Sequence, residues 1–165
     1  MGRLTEYAKL LRNKQALKRM YMMTERQFYN LVTKTSQKYA KNKGLSHDQV
    51  MYQFLERRLD SILMRAGVAK TIMQARQMIT HGHWLLNGKK HNVPSYFMKT
   101  GDVLTLRDKA KNSPLYAEMD SSVNVPAWIK FDKNKFTIEL LQLPDTTQLQ
   151  APVDLLKVIE FYARA

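Results

Sequence analysis

The chain has 165 residues and no cysteine, with 27 lysines and arginines against 14 acids and a formal net charge of +13. Disulfides and thiolate metal sites are excluded, no run approaches the length of an apolar spanning helix, and the start lacks a secretory apolar region. Hydrophobic residues make up 44% of the chain, enough to bury the core of one domain or two small ones, so wholesale disorder is excluded.

Leu4 to Tyr21 contains no Gly or Pro and is rich in Leu, Lys, Arg, Gln and Ala, which predicts a helix. Thr24 heads a second helix, with Phe28, Leu31, Val32, Thr35 and Tyr39 along one face and Lys34, Lys38 and Lys41 on a neighbouring one. Gly44 marks a stop in the linker Lys41 to His47. From about Asp48, the residues Met51, Leu55, Leu59, Ile62, Leu63 and Ala66 form an apolar stripe ending at Gly67, with a break near Phe54. Thr71 is the expected N-cap of the next helix, and Gln74 supplies the reciprocal half of a capping box. Ile72, Ala75, Met78 and Ile79 face inward, and Met51, Met73 and Met78 read as core fillers.

Gly82 ends that helix and Trp84 to Leu86 reads as a short strand. Asn87-Gly88 predicts a two-residue hairpin, because a type I′ turn needs positive φ at both central positions. Pro94 limits pairing nearby, and Thr100-Gly101-Asp102 turns the chain into the alternating strand Val103 to Arg107. Asn112-Ser113-Pro114 opens a short helix at most. Ala127 to Phe131 and Phe136 to Leu143 read as two strands around the polar turn Asp132 to Lys135. Pro152 suits the first turn of a closing helix containing Leu155, Leu156, Ile159 and Tyr162. Helices at both ends of a mixed unit make an α+β chain.

The positive charge is uneven. Residues 1–43 hold 11 basic and 2 acidic side chains, whereas residues 112–165 hold 5 and 7. Such a field favours a polyanion, nucleic acid or an anionic membrane. A membrane reading needs exposed apolar anchors, and the apolar positions here read as core, so nucleic acid is preferred over a membrane partner. A merely solvated set of lysines is the alternative.

Arg58 and Arg65 stand seven apart, which places them on one helix face away from the apolar stripe, and Arg76 lies on the following helix. Arginine binds phosphate bidentately and keeps its charge. The same spacing also fits surface arginines near Glu56 and Asp60. Replacing Arg58 and Arg76 together by alanine is expected to weaken RNA binding and leave thermal unfolding nearly unchanged. His81, His83 and His91 have neither cysteine nor a nearby acid, so no metal or other cofactor is expected. With no Gly-x-Ser-x-Gly elbow and no phosphate loop of the GxxxxGK type, no enzymatic activity is expected either. Trp84, Tyr96 and Trp128 could stack on bases or simply pack.

The stretch TIMQARQMITHGHWLLNGKKHNVPSYFMKTGD, from Thr71 to Asp102, resembles the S4-type RNA-binding domain, and LERRLD from Leu55 resembles its opening. The residues carrying the likeness include Arg58, Asp60, Thr71, Ala75, Arg76, His81, Gly82, His83, Asn87, Gly88, Pro94, Tyr96, Gly101 and Asp102. Upstream LTEYAKLLRNKQALKRMY and downstream PSYFMKTGDVLTLRDKAKN and IEFYARA resemble the flanks of the small-subunit ribosomal protein family that names the domain. The resemblance implies an N-terminal helical region over 1–52, the S4-type domain over 53–116 with helices on a mainly antiparallel sheet, and strands plus a closing helix over 117–165 that returns to the helical region. It further implies a structural, non-enzymatic protein of the small ribosomal subunit that binds a multi-helix junction in the 5′ domain of the rRNA and nucleates assembly. One face would comprise Arg58, Arg65, Lys70, Arg76, Lys89 and Lys90, with His81, His83, Asn87 and Tyr96 beside it. Arg12, Lys14, Lys18, Arg19 and Arg26 would form a second.

Phe161 and Tyr162 would approach the neighbouring protein S-five, an interface tied to decoding accuracy, or else pack on the N-terminal helices. Messenger RNA is a further implied partner, and the ribosome of a bacterial cytoplasm or an organelle the implied location. Ile72 stands where many members carry an arginine, so the resemblance implies that this phosphate contact is either lost or taken over by Lys70. The family's usual N-terminal extension, with its role at the messenger entry path, is not expected here, Arg3 being what remains of its basic border. The alternative is an RNA-modifying or ribosome-rescue factor targeted by an S4-type domain.

Overall fold

The first helix starts where Thr5 accepts a hydrogen bond from the backbone N–H of Ala8 at 3.1 Å, giving α1, Glu6–Met20. Thr24 and Gln27 cap α2, Glu25–Lys41, reciprocally: Gln27 N donates to Thr24 Oγ1 at 3.2 Å and Thr24 N to Gln27 Oε1 at 3.0 Å. The computed structural model describes residues 5–41, 44–117, 119, 123–145 and 155–164. Arg3 and the expected first-turn Pro152 lie outside them. None of the described helices is long and apolar enough to cross a membrane.

The chain forms two units, one of residues 1–54 with 146–165 and one of residues 55–145. The first contains α1, α2, the larger part of α3, His47–Arg57, and α6, Leu155–Arg164, which packs on α1. Its core gathers Leu10, Leu17, Tyr21, Phe28, Leu31, Val32, Val50, Met51, Leu155 and Val158. Tyr39 and Leu156 are corrections to the expected apolar faces. Tyr39 is 43% exposed and stacks on His47, and Leu156 is 57% exposed because α6 buries Leu155 and Val158 instead.

In the second unit the apolar stripe is interrupted at Arg58, four residues later than expected. Arg58 takes an extended conformation (φ −60°, ψ 142°) between α3 and α4, Leu59–Arg65. The break pairs with a distant segment: Met98 N donates to Arg57 O at 2.9 Å, Leu59 N to Tyr96 O at 3.1 Å and Asp60 N to Pro94 O at 3.2 Å. Three backbone groups freed by ending the helix, Arg57 O, Leu59 N and Asp60 N, thereby gain partners, as burial favours. Thr71 caps α5, Ile72–Thr80, accepting from Gln74 N at 3.0 Å, while Gln74 Oε1 accepts from Lys70 N rather than from Thr71 N. Met73, one residue off the buried Ile72–Ala75–Met78–Ile79 face, is 55% exposed and corrects its reading as core.

Five short strands follow: β1, Trp84–Leu86; β2, Lys89–Lys90; β3, Val103–Leu106; β4, Ile129–Asp132; and β5, Thr137–Leu140. They form one antiparallel sheet in the order β2-β1-β3-β5-β4. Leu104, Leu106, Ile138 and Leu140 are buried while Val103, Thr105, Thr137 and Glu139 are half-exposed, the alternation of a sheet with one covered face. Asn87 (φ 52°) and Gly88 (φ 82°) make the predicted turn between β1 and β2. A single-turn helix forms at Pro114–Tyr116, directly after Asn112-Ser113. The architecture is α+β.

Candidate nucleic-acid interface

The second unit organises its charges around two buried acids. Asp60, 1% exposed, sits at the start of α4 because the break at Arg58 turns the chain there. Arg58 grips it with both Nε (3.2 Å to Oδ1) and Nη2 (3.1 Å to Oδ2). Arg76 Nε, from α5, reaches Oδ2 at 3.0 Å, and Ser61 N donates to Oδ1 at 2.7 Å. One carboxylate thus serves two guanidinium groups, leaving the cluster net positive. Glu56, fully buried, is held in the same bidentate manner by Arg65, whose Nε and Nη2 lie 3.0 and 2.9 Å from its oxygens.

This arrangement corrects the expected helix face. Arg58 is not on a helix and is 5% exposed, so it organises the interior instead of meeting solvent. The side chains of Arg65 and Arg76 remain 33% and 23% exposed, each lying over a buried acid. The bases therefore lie outward of the acids, and the surface is cationic although the carboxylates are close by.

Exposed cations flank this network in sequence. Lys70 precedes α5, and Lys89 and Lys90 form the whole of β2 at the sheet's edge, both in solvent. Asn87 is exposed, yet its side chain is engaged within the hairpin: Nδ2 donates to Asp102 Oδ1 at 3.0 Å and Oδ1 accepts from Val103 N at 2.9 Å. Its expected place among the contact residues becomes a turn-holding one. Tyr96 is half-buried, edge-on to His91 with ring centres 4.8 Å apart. His81 is exposed and His83 half-buried, with His83 Nδ1 2.9 Å from the hydroxyl of Tyr116. Burial, then His81 and Arg107, hold His83 below its ordinary value, which disfavours the charged ring. Trp84 and Trp128 are 1% and 2% exposed, which makes them packing residues rather than stacking platforms.

In the first unit the expected five-cation face divides. Arg12, Arg19 and Arg26 are exposed. Lys14 is buried, a correction: its ammonium pairs with Glu25 and lies 4.7 Å from the Phe161 ring centre and 5.5 Å from that of Tyr162. Lys18 also binds Glu25, at 3.1 Å, and Tyr162 donates to it at 3.0 Å. Phe161 and Tyr162 pack within this unit, Phe161 beside Tyr7 and Tyr162 beside Phe28 and Tyr29. Burial pushes the Glu25 carboxyl up, but hydrogen bonds from Lys14, Lys18 and Tyr162 outweigh it and hold the group below the usual carboxylate range.

Comparison with known proteins bears on the same elements. Residues 1–56 match the ribosomal protein S4/S9 N-terminal domain and residues 57–104 match the S4 domain. The small ribosomal subunit protein uS4 of Persephonella marina is 40% identical over 165 residues, covering 98% of this chain and 78% of the relative. The chain belongs to the uS4 family. The uS4 proteins of Petrotoga mobilis and Aquifex aeolicus are 40% and 39% identical, each covering 98% of this chain and 77% of the relative. For this member of the uS4 family, Asp60 and Glu56 are the organisers that sequence reasoning noticed only as neighbouring acids. Their signal is two acids among arginines on an otherwise apolar stripe. Glu25 was missed altogether, since Lys14, Lys18 and Tyr162 reach it from other helices.

Proposed function

We propose that this chain is a structural protein of the small ribosomal subunit that binds rRNA directly and catalyses no reaction. The observation that carries the reading is the placement of charge. Glu56 and Asp60 are buried under Arg65 and Arg76, while Lys70, Lys89 and Lys90 stand in solvent beside a rigid hairpin. A cationic face fixed on a helix and a strand suits the backbone of folded RNA, which proteins recognise mostly by shape and by phosphate and 2′-hydroxyl contacts. Arg12, Arg19 and Arg26 give the helical unit a cationic set of its own. Arg58 and Lys14 leave the contact list, and Lys18 and Asn87 serve structure first.

On this reading the target is a multi-helix junction in the 5′ domain of the rRNA, where early binding nucleates assembly. Neighbouring small-subunit proteins, S-five among them, and messenger RNA are its other partners, and its location is the ribosome of a bacterial cytoplasm or an organelle. The family to which the chain belongs, and relatives that are themselves small ribosomal subunit proteins, support the ribosomal part of the reading. The test is binding to a 5′-domain rRNA fragment at graded salt. Each phosphate neutralised should steepen the log–log salt dependence by about 0.7–0.9. A flat dependence, or equal affinity for an unrelated duplex of the same length, would overturn it.

A further inference from the structure

Beyond the hairpin and α5, a separate cleft of about 470 Å³ opens at the far end of β3. It is lined by His81 and His83 from the turn after α5, and by Arg107, Lys109, Asn112 and Ser113 from the segment that follows β3. This lies within the usual range of ligand clefts, roughly 300–1,000 Å³. The lining holds two permanent cations, two imidazoles and two neutral polar side chains, and no carboxylate. The nearest acid in sequence, Asp108, is engaged by Lys111 at 2.9 Å.

We propose that this cleft binds one backbone phosphate of the RNA, a contact point distinct from the hairpin lysines. The proposal rests on the RNA-binding reading above. Its geometry is built for an anion. Arg107 Nη1 donates to Gly82 O at 3.3 Å, which pins the guanidinium to the histidine turn and leaves further N–H groups of its fork for a ligand. Arg107 N donates to His83 O at 2.9 Å, so the two loops are tied by main chain as well. Burial pushes the Tyr116 phenol far up, so it stays protonated, and its hydroxyl lies 2.9 Å from His83 Nδ1. In the tautomer whose Nδ1 accepts from that hydroxyl, the ring's own proton is on Nε2, which makes that nitrogen a donor toward a ligand. Lys109 is exposed and adds a mobile charge at the rim.

Two measurements test it. In the first, the salt dependence of binding to the 5′-domain fragment is compared for the wild type, Lys109→Gln, and Lys133→Gln, an exposed lysine on the turn between β4 and β5, as a control outside the cleft. Loss of one phosphate contact should flatten the slope by about 0.7–0.9 for Lys109→Gln alone, with affinity reduced equally across RNA sequences. An unchanged slope, or the same reduction for Lys133→Gln, overturns the assignment. In the second, inorganic phosphate is titrated against the RNA-free protein while the ring signals of His81 and His83 are followed by NMR. Saturable shifts that chloride at equal ionic strength does not reproduce support the cleft; identical responses to both anions overturn it. Failure of the wild type to bind rRNA would sink the RNA reading itself, an outcome separate from either of these.

Discussion

Arg76 reaches back sixteen residues to Asp60, its Nε 3.0 Å from Oδ2, and joins Arg58 on the same buried carboxylate. A helix that would otherwise present a free cation is thus fastened to the start of another. Asp60→Ala should leave the nearly buried guanidinium of Arg58 unpaired and cost about 3–5 kcal/mol, the range for breaking a buried pair. Equilibrium urea unfolding of the variant would read the loss directly. The double change Arg58→Ala with Arg76→Ala, which sequence alone expects to be silent in stability, should lower the melting temperature clearly. It strands Asp60 with only Ser61 as donor.

The hairpin tip offers a cleaner backbone test. Gly88 has φ +82° and open space where a Cβ would stand, so a substitution there meets conformational strain and no clash. Gly88→Ala should cost about 1–2 kcal/mol and Gly88→Val more, because branching at Cβ tolerates the left-handed region poorly. Gly88→Asn should recover most of the loss. Thermal unfolding of the three variants fixes the order, and equal melting temperatures would remove the turn type from the account.

On the proposed reading, Lys89 and Lys90 carry binding without carrying structure. Both are exposed on a two-residue edge strand. Lys89→Glu with Lys90→Glu should leave the melting temperature within a degree or so, since surface changes of this kind cost under about 0.5 kcal/mol. RNA affinity should drop, with the salt dependence flattened by one or two phosphate equivalents, about 0.7–0.9 each. Unaltered affinity would place the RNA elsewhere.

Glu25 links acidity to the helical unit. Its carboxyl sits below the ordinary value of 4.5, so the folded state binds its proton less readily than the unfolded chain. The stabilisation from its pairs with Lys14, Lys18 and Tyr162 is therefore complete above 4.5 and disappears as pH falls through the lower folded value. Glu25→Gln should destabilise the protein at neutral pH, and the difference from wild type should close on acidification. A gap that persists unchanged below the folded value would mean that packing, and not charge, is what the substitution removes.

Local chemistry made much of this legible. The Asn87-Gly88 turn, the Thr71 cap and the alternation through Val103 to Leu106 are dictated by residues within a few positions of one another, and each stands where the sequence places it. The break at Arg58 does not announce itself, because Leu55, Leu59 and Ile62 remain buried on both sides of it while its cause is the pairing with Phe97. Lys14 looks like any helix-surface lysine until Glu25, Phe161 and Tyr162 arrive from other helices. Met73 and Leu156 fail for a different reason: each lies one position, about 100° on a helix, from the true buried face. Exposed cations were therefore easier to list than to sort, since sorting them depends on acids distant in sequence.

The main-chain clasp between residues 57–60 and 94–98 also governs where this chain can change length. An insertion or deletion between Lys90 and Phe97 shifts which peptide group faces Arg58, and with it the seat of Asp60 beneath its two guanidinium caps. The polar residues Lys133–Lys135 bear no such duty, lying on the turn that joins β4 to β5 within one sheet. Natural or engineered variation in size should gather at the second loop and avoid the first.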